Sequence, residues 1–446
     1  MSNSPIAQVF RRLAPLGVGL LASGAAAAAT LPQALAQAWT NNATLQAERD
    51  SLQAAGDRVD QAHGGYYPQV KLFGGVGTSH NDVGFMPIPG FSLPLDNFSL
   101  NTRQVGVQLD QALYAGGRIS SGVSEAENRR AAEEAKLHAV EQDVLLDAAT
   151  AYMDVLQSQA VKELETSNVK LLQQALDAAQ ASFDNGEVTH TDVDQAKARL
   201  AGAQAALIQA QGALSSAQAS YERVMGVAPD TLQQPEPLTG LPGTQEEVLQ
   251  LAARDYRVQA AKYTSAAAHD SADVAEGSLK PSVTLTGQIS KSHEPQFLFE
   301  RLDTRSIMLE FSMPLYSGGS LSSQLKGAQH EADSSEQQAV DAGRSARDRA
   351  IQAWQGYQTA VAGLAAISVE ITAAQSAYEG VQAEYRVGDR TTLDVLNAEQ
   401  ELLNAKVNQV KAQRDETVAE YALKAATGSL TAADLKLPVS APGAAE

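Results

Sequence analysis

A chain of 446 residues holds 52 acidic and 33 basic side chains, for a formal charge of −19, and no cysteine. This composition excludes disulfides, thiolate metal sites and a cysteine-borne lipid, and it argues against nucleic acid, whose phosphates require basic neutralisation. Aromatics make up 5% of the chain while alanine abounds, and the acidity reads either as a solvated surface or as an acidic lumen.

Residues 1–29 read as a cleaved signal peptide. Arg11 and Arg12 precede the apolar stretch Leu13 to Ala22, and the small-residue run Ala25 to Ala29 follows. No other segment approaches the roughly 20 apolar residues of a membrane helix, so any membrane crossing must be made by a closed barrel. An amphipathic helix is predicted next, ending near Gly64 and Gly65. Period-2 patterning then predicts two strands, with Val70, Leu72, Gly74 and Val76 on one face of the first and Val105, Val107 and Leu109 on one face of the second. The Pro/Gly-rich stretch Met86 to Asp96 between them reads as a loop.

From Arg118 to Phe183 there is no proline, and Gly122 is the only glycine. At 1.5 Å per residue this is a helix of about 100 Å, far beyond the globular norm and suited to a coiled-coil or tubular assembly. A turn follows. Val193, Ala196, Leu200, Ala203, Leu207, Ala210, Leu214, Ala217, Tyr221 and Val224 then keep a 3–4 alternation. That is a heptad seam with alanine at one position for most of its length, which predicts a tight antiparallel helix hairpin.

The pattern then repeats. Leu113-Tyr114-Ala115-Gly116-Gly117 returns 202 positions later as Leu315-Tyr316-Ser317-Gly318-Gly319, and Asp192-Val193 returns as Asp394-Val395. Upstream the offset is 213, relating Asp60, Ala62, Gly64 and Pro68 to Asp273, Ala275, Gly277 and Pro281. The second copy has its own strand pair, with Val283, Leu285 and Ile289 facing Ile307, Leu309, Phe311, Met313 and Leu315. The chain divides into a leader (1–29), a first copy (30–228), a linker (229–243), a second copy (244–437) and a tail (438–446).

Four strands leave two edges of unpaired N–H and C=O groups, which hydrocarbon does not tolerate. Closure therefore requires oligomerisation, and three copies supply 12 strands. The helices carry charge on their outer faces (Arg129, Arg130, Glu133 and Glu134 among others) and are expected to continue the barrel as a cylinder in water. A periplasmic adaptor or structural coiled-coil protein is the rival from another class, although it has no need of two strand pairs.

The paired Leu-Tyr-x-Gly-Gly motifs, the turn segments 185–193 and 387–397, and the duplicated layout resemble the TolC family of outer-membrane export ducts over nearly all of the mature chain. The resemblance implies a mixed α and β membrane protein. Four β-strands per chain form a 12-stranded trimeric barrel, continued by a long α-helical coiled-coil periplasmic tunnel. It implies a homotrimer set in outer-membrane lipid. It also implies a tapered tip opened by a periplasmic adaptor and an inner-membrane transporter, with the ABC type favoured. Residues 189–200 and 221–226 are most similar to ducts of type I protein secretion, while multidrug efflux is the alternative.

At positions that hold the family's tip closed stand Thr191 and Asp192 in the first copy and Tyr385 and Arg390 in the second. A carboxylate, a guanidinium and a phenol can latch two hairpins by charge-assisted hydrogen bonds, although threonine and aspartate here also suit a helix start. Asp394 matches a position where one carboxylate per chain rings the constriction and attracts cations. Asn397 stands where the family commonly has a second acid, which implies a milder filter. No catalytic, cofactor-binding or metal-binding constellation is present. The seven histidines are dispersed, and Ser323 with Lys326 matches S-x-x-K only inside a long helix. An enzyme is not expected.

Overall fold

The computed structural model describes residues 30–82, 85–88, 91–94, 98–296 and 299–438. The expected leader and residues 439–446 of the tail lie outside the described residues.

Each copy opens with two helices where the sequence suggested one. They are α1 (Leu31–Asn41) and α2 (Ala43–His63) in the first copy, and α5 (Gln245–Ala252) and α6 (Tyr256–Gly277) in the second. The break has a local cause. Asn42 accepts hydrogen bonds from the backbone N–H of Thr44 and Leu45, and Asp255 accepts one from Arg257, so each starts a new helix.

The strands are β1 (Gln69–Asn81), β2 (Phe85–Ile88), β3 (Phe91–Pro94), β4 (Phe98–Tyr114), β5 (Ser282–Gln296) and β6 (Phe299–Ser312). A four-stranded antiparallel sheet runs in the order β1-β4-β5-β6, so β1 and β6 are its open edges. The stretch read as a loop instead contains a two-stranded ribbon, β2 paired with β3. In the second copy Met313 and Leu315 fall beyond the strand they were assigned to. Their counterparts in β4 pair against β5 as far as Tyr114, whereas β6 has no neighbour on its far side to extend it.

The sheet has two unlike faces. On one, the registers align Val70, Leu109, Gly287 and Ile307 in a row, then Leu72, Val107, Ile289 and Arg305. Leu72, Val76 and Ile307 on this face are more than three-quarters exposed, with nothing over them. The opposite face is polar. There Asp110 accepts from Lys71 Nζ at 3.1 Å, Gln108 Nε2 at 2.8 Å and Thr286 Oγ1 at 3.2 Å. An apolar outside over a polar inside is the alternation of a membrane barrel wall.

Beyond the sheet run α3 (Arg118–Asp184) and α7 (Ser320–Arg386), each of 67 residues, folded back on α4 (His190–Met225) and α8 (Thr392–Ala426). The heptad seam holds, since Val193, Ala196, Leu200, Ala203, Ala210, Tyr221 and Val224 are buried. The 202-residue offset recurs in the caps: Gly117 and Gly319 enter their helices at φ 89° and 87°, a left-handed conformation that costs glycine least.

A core gathers at the waist, where α1, the middle of α3 and the ends of α4 and α8 enclose Leu35, Leu145, Tyr152, Tyr221 and Leu430. The linker is pinned there: Tyr152 Oη donates to Gln233 O at 2.6 Å and accepts from Gln233 N at 3.0 Å. Burial pushes the Tyr152 phenol up to about 12. Burial also pushes the Glu141 carboxyl up, but donors from His138, Ala432 and Trp39 outweigh it and leave the group below its usual range.

One expectation is corrected by α7. It holds one stretch that by length and composition alone could span a membrane, although no spanning helix was expected anywhere in the chain, and that stretch is bare in the single chain.

Candidate functional site: the helix-hairpin tips

The tips are turns between α3 and α4 and between α7 and α8. Gly186 and Gly388 adopt φ 78° and 89°, which lets each chain reverse within a few residues. Each return helix then starts with the same capping box. Asp192 Oδ2 accepts from Thr189 N at 2.9 Å and Oγ1 at 2.8 Å, and Asp394 Oδ2 accepts from Thr391 N and Oγ1 at the same distances. The Thr189 hydroxyl and backbone N–H hold the Asp192 carboxyl below the usual range. For Asp394 the Thr391 backbone N–H leads, followed by the Thr391 hydroxyl and the charge of Arg390. Both carboxylates are therefore ionised caps in a single chain.

Arg390 donates from Nε to Glu384 Oε2 at 2.8 Å within its own turn, and this partner raises its pKa. Tyr385 Oη lies 3.4 Å from Thr392 Oγ1 and is half exposed. Thr191 is exposed on the first turn of α4. Within one chain the structure thus brings Arg390 near Asp394, but it forms no hydrogen bond between Asp192 and either Tyr385 or Arg390 among the described residues.

What joins the two hairpins is a pair that sequence reasoning did not assign. Arg199 Nη2 on α4 donates to Asn397 Oδ1 on α8 at 2.7 Å. Beside it, Leu396 packs into the cluster of Leu172, Leu200 and Ala203. Glu399 was also missed. It is buried beside Leu171, Tyr378 and Leu402, and its Oε2 has no hydrogen-bond partner among the described residues. Burial pushes this carboxyl up to about 7. The signal was present in the sequence, because Leu396, Glu399 and Leu403 share one helix face and place a carboxylate on an apolar stripe.

A sheet with an apolar outside and a polar inside, set on hairpins of this length, describes a channel wall and not a catalytic pocket. A family model described as "Outer membrane efflux protein" matches residues 34–227 and 248–429. The chain belongs to the outer membrane efflux protein family. It is 33% identical to the outer membrane efflux protein BepC of Brucella suis, over 94% of this chain and 90% of that one. It is 24% identical to the outer membrane protein TolC of Escherichia coli, over 96% and 88%. It is also 26% identical to the alkaline protease secretion protein AprF of Pseudomonas aeruginosa, over 74% and 70%. Among solved structures, the CmeC outer membrane channel of Campylobacter jejuni aligns with a TM-score of 0.78 at 15% identity, over 90% of this chain and 85% of that one.

Membership places this efflux-family chain in the outer membrane as a channel subunit, not an enzyme. Its fold is TolC-like, with the four-stranded sheet as one chain's share of a trimeric barrel above a helical tunnel.

Proposed function

We propose that this export channel is the exit duct of a type I protein secretion system, receiving cargo from an inner-membrane ABC transporter through a periplasmic adaptor. The observation that carries the reading is the capped tip turn Thr189 to Asp192, which opens the segment 189–200 that resembles secretion ducts. The relative named for alkaline protease secretion supports it. Small-molecule efflux is the second reading, favoured by the 33% identity to a protein named for efflux. Deleting the gene and comparing the culture supernatant with drug susceptibility separates the two. Loss of secreted protein at unchanged susceptibility is expected, and the reverse outcome would replace secretion by efflux.

The tip is proposed as the gate. Asp192, Thr191, Tyr385 and Arg390 are exposed or half exposed on one chain, so their latch acts between chains. Opening exchanges Arg390's link across the bore for its bond to Glu384. Asp394, and not Asn397, is proposed as the selectivity carboxylate, because Asn397 is engaged by Arg199 and bears no charge. In planar bilayers the double variant Asp192→Ala with Arg390→Ala should raise single-channel conductance. A folded double variant of unchanged conductance would remove both residues from the gate.

A further inference from the structure

The apolar face of the sheet does not end at random. Along β1, β4, β5 and β6 its last apolar residues are Val76, Val105, Ile289 and Ile307. In the paired registers each lies one outward-facing row below the last, since Val76 is opposite Arg103, Val105 opposite Lys291, and Ile289 opposite Arg305. A boundary that steps by two residues per strand is level once the strands tilt, as barrel strands must. The four residues therefore mark one edge of the hydrocarbon, at the sheet end remote from the helices.

Immediately past that edge, the next outward residue is Arg103 on β4, Lys291 on β5 and Arg305 on β6, followed by His293 on β5 and by Asp303 and then Arg301 on β6. Asp303 is the acid among them, and it is taken up by Arg301, whose Nη2 is 2.6 Å from Oδ2. Among the described residues, Arg103, Lys291 and Arg305 have no salt-bridge partner. The duplication preserves this layout. Arg103 and Arg305 are related by the 202 offset, while Gly74 with Gly287 and His80 with His293 are related by the 213 offset.

Each of the two glycines opens a notch in the apolar face below its arginine. One groove, of about 660 Å³, is lined by Gly74, Val76, Val105 and Arg103 together with Lys291 and Arg301. The other, of about 520 Å³, is lined by Gly287, Val107, Ile289, Ile307 and Arg305. Each combines an apolar floor with a cation at its outer rim.

We infer that these grooves are two seats per chain for a phosphorylated lipid of the outer leaflet. Its phosphates bind Arg103 with Lys291 in one seat and Arg305 in the other, and its acyl chains fill the notches at Gly74 and Gly287. Charge complementarity selects this occupant. A guanidinium binds phosphate through paired N–H donors, an interfacial cation attracts an anionic headgroup, and a zwitterionic lipid offers no equivalent. The inference rests on the outer-membrane barrel reading.

The test is native mass spectrometry of the detergent-purified trimer, titrated with bisphosphorylated hexa-acyl lipid A, with the same lipid stripped of both phosphates, and with phosphatidylcholine. The phosphorylated form should bind at least about tenfold more tightly than either, with the advantage shrinking as salt is raised. The double variant Arg103→Gln with Arg305→Gln should lose about fivefold to tenfold. Lys71→Gln removes the same charge from the polar inner face and should change nothing. Equal binding of the two lipid A forms, or unchanged binding by the double variant, overturns the proposal. If the double variant fails to assemble, the wild-type comparison of the two lipid A forms decides alone. Conductance is recorded on the same preparation. A conducting trimer without lipid preference sinks the seats but leaves the channel, whereas absence of any conducting trimer sinks the channel reading itself.

Discussion

Helices α3 and α7 have the same length and equivalent glycine entries, yet the single chain clothes them differently. The middle of α3 buries Val144, Leu145, Ala148, Ala149, Tyr152 and Met153, whereas α7 buries Ala332, Ala346 and Ala350 along its whole length. Near the sheet, α3 lies between α2 and α6, while α7 touches α6 and leaves its other flank open. The same asymmetry appears at the glycine junctions. A Cβ on Gly116 would meet Gly277 O at 2.5 Å, but at the equivalent Gly318, and at Gly64, it would meet nothing within 4 Å. Equivalent positions in a repeat have equivalent surroundings only when the repeat is closed. The bare flank of α7 is therefore expected to take α2 of the next chain, and Gly318 to meet Gly64 of the next chain.

The duplication predicts the strand register between neighbouring chains. Gln104 pairs with Ser292 between β4 and β5. The two offsets transfer that pairing to Ser306 on β6 and Ser79 on β1 of the next chain. In a chain without cysteine, Ser79→Cys combined with Ser306→Cys should crosslink nearly completely into covalent trimers on oxidation, visible on a non-reducing gel. Ser79→Cys with Asn101→Cys should give none, because both lie within one chain. Absence of the first crosslink in a trimeric preparation would break the pseudo-symmetry argument.

A smaller effect separates the two return helices. Glu399 on α8 is buried because α8 lies against α3, whereas its repeat counterpart on α4, Lys197, is exposed. A buried carboxyl raised to about 7 favours its neutral form. Its contribution is fully present below the unfolded value near 4.5 and is lost as pH rises through about 7. Glu399→Gln should therefore stabilise the protein by about 3 kcal/mol at pH 8 and by almost nothing near pH 4. Thermal unfolding across that range checks it, and a destabilised variant at pH 8 would show instead that Glu399 is ionised and paired.

Gly318 sharpens the interface further. Gly318→Ala and Gly319→Ala both place a side chain at positive φ, 64° and 87°. Only Gly318 is equivalent to the crowded Gly116, so its variant should cost the trimer an additional 1–3 kcal/mol or so, the usual range for overpacking. Equal melting temperatures for the two variants would place the next chain's Gly64 elsewhere. The smallest effect concerns the tips, where the acids are alike and the partners differ. Asp394→Ala should reduce cation selectivity in bilayers and Asn397→Asp should strengthen it, both by shifts that high salt erases. An unchanged reversal potential for Asp394→Ala assigns selectivity to other acids of the tunnel.

Much was written locally. A proline-free run after each Gly-Gly pair set α3 and α7, threonines beside an aspartate set the starts of α4 and α8 to within two residues, and period-2 patterning set both strand pairs. These are short-range consequences of φ/ψ preference, capping and alternation, so a linear reading recovers them. The duplication itself carried the architecture, because a pattern kept in register over both halves allows few folds. The ribbon of β2 and β3 was hidden by prolines and glycines that read as loop, and the split at Asn42 by a side-chain cap that resembles any surface asparagine.

What the tertiary structure alone decided is which equivalent residues differ. Arg199 meets Asn397, Glu399 is entombed while Lys197 is wet, and the cations past the apolar edge fall level across three strands. Spacing put Glu399 on an apolar stripe, but the outcome at each position depends on which helix or strand lies alongside. That neighbour is chosen by packing over hundreds of residues, so two copies of one pattern come to occupy different environments within a single chain.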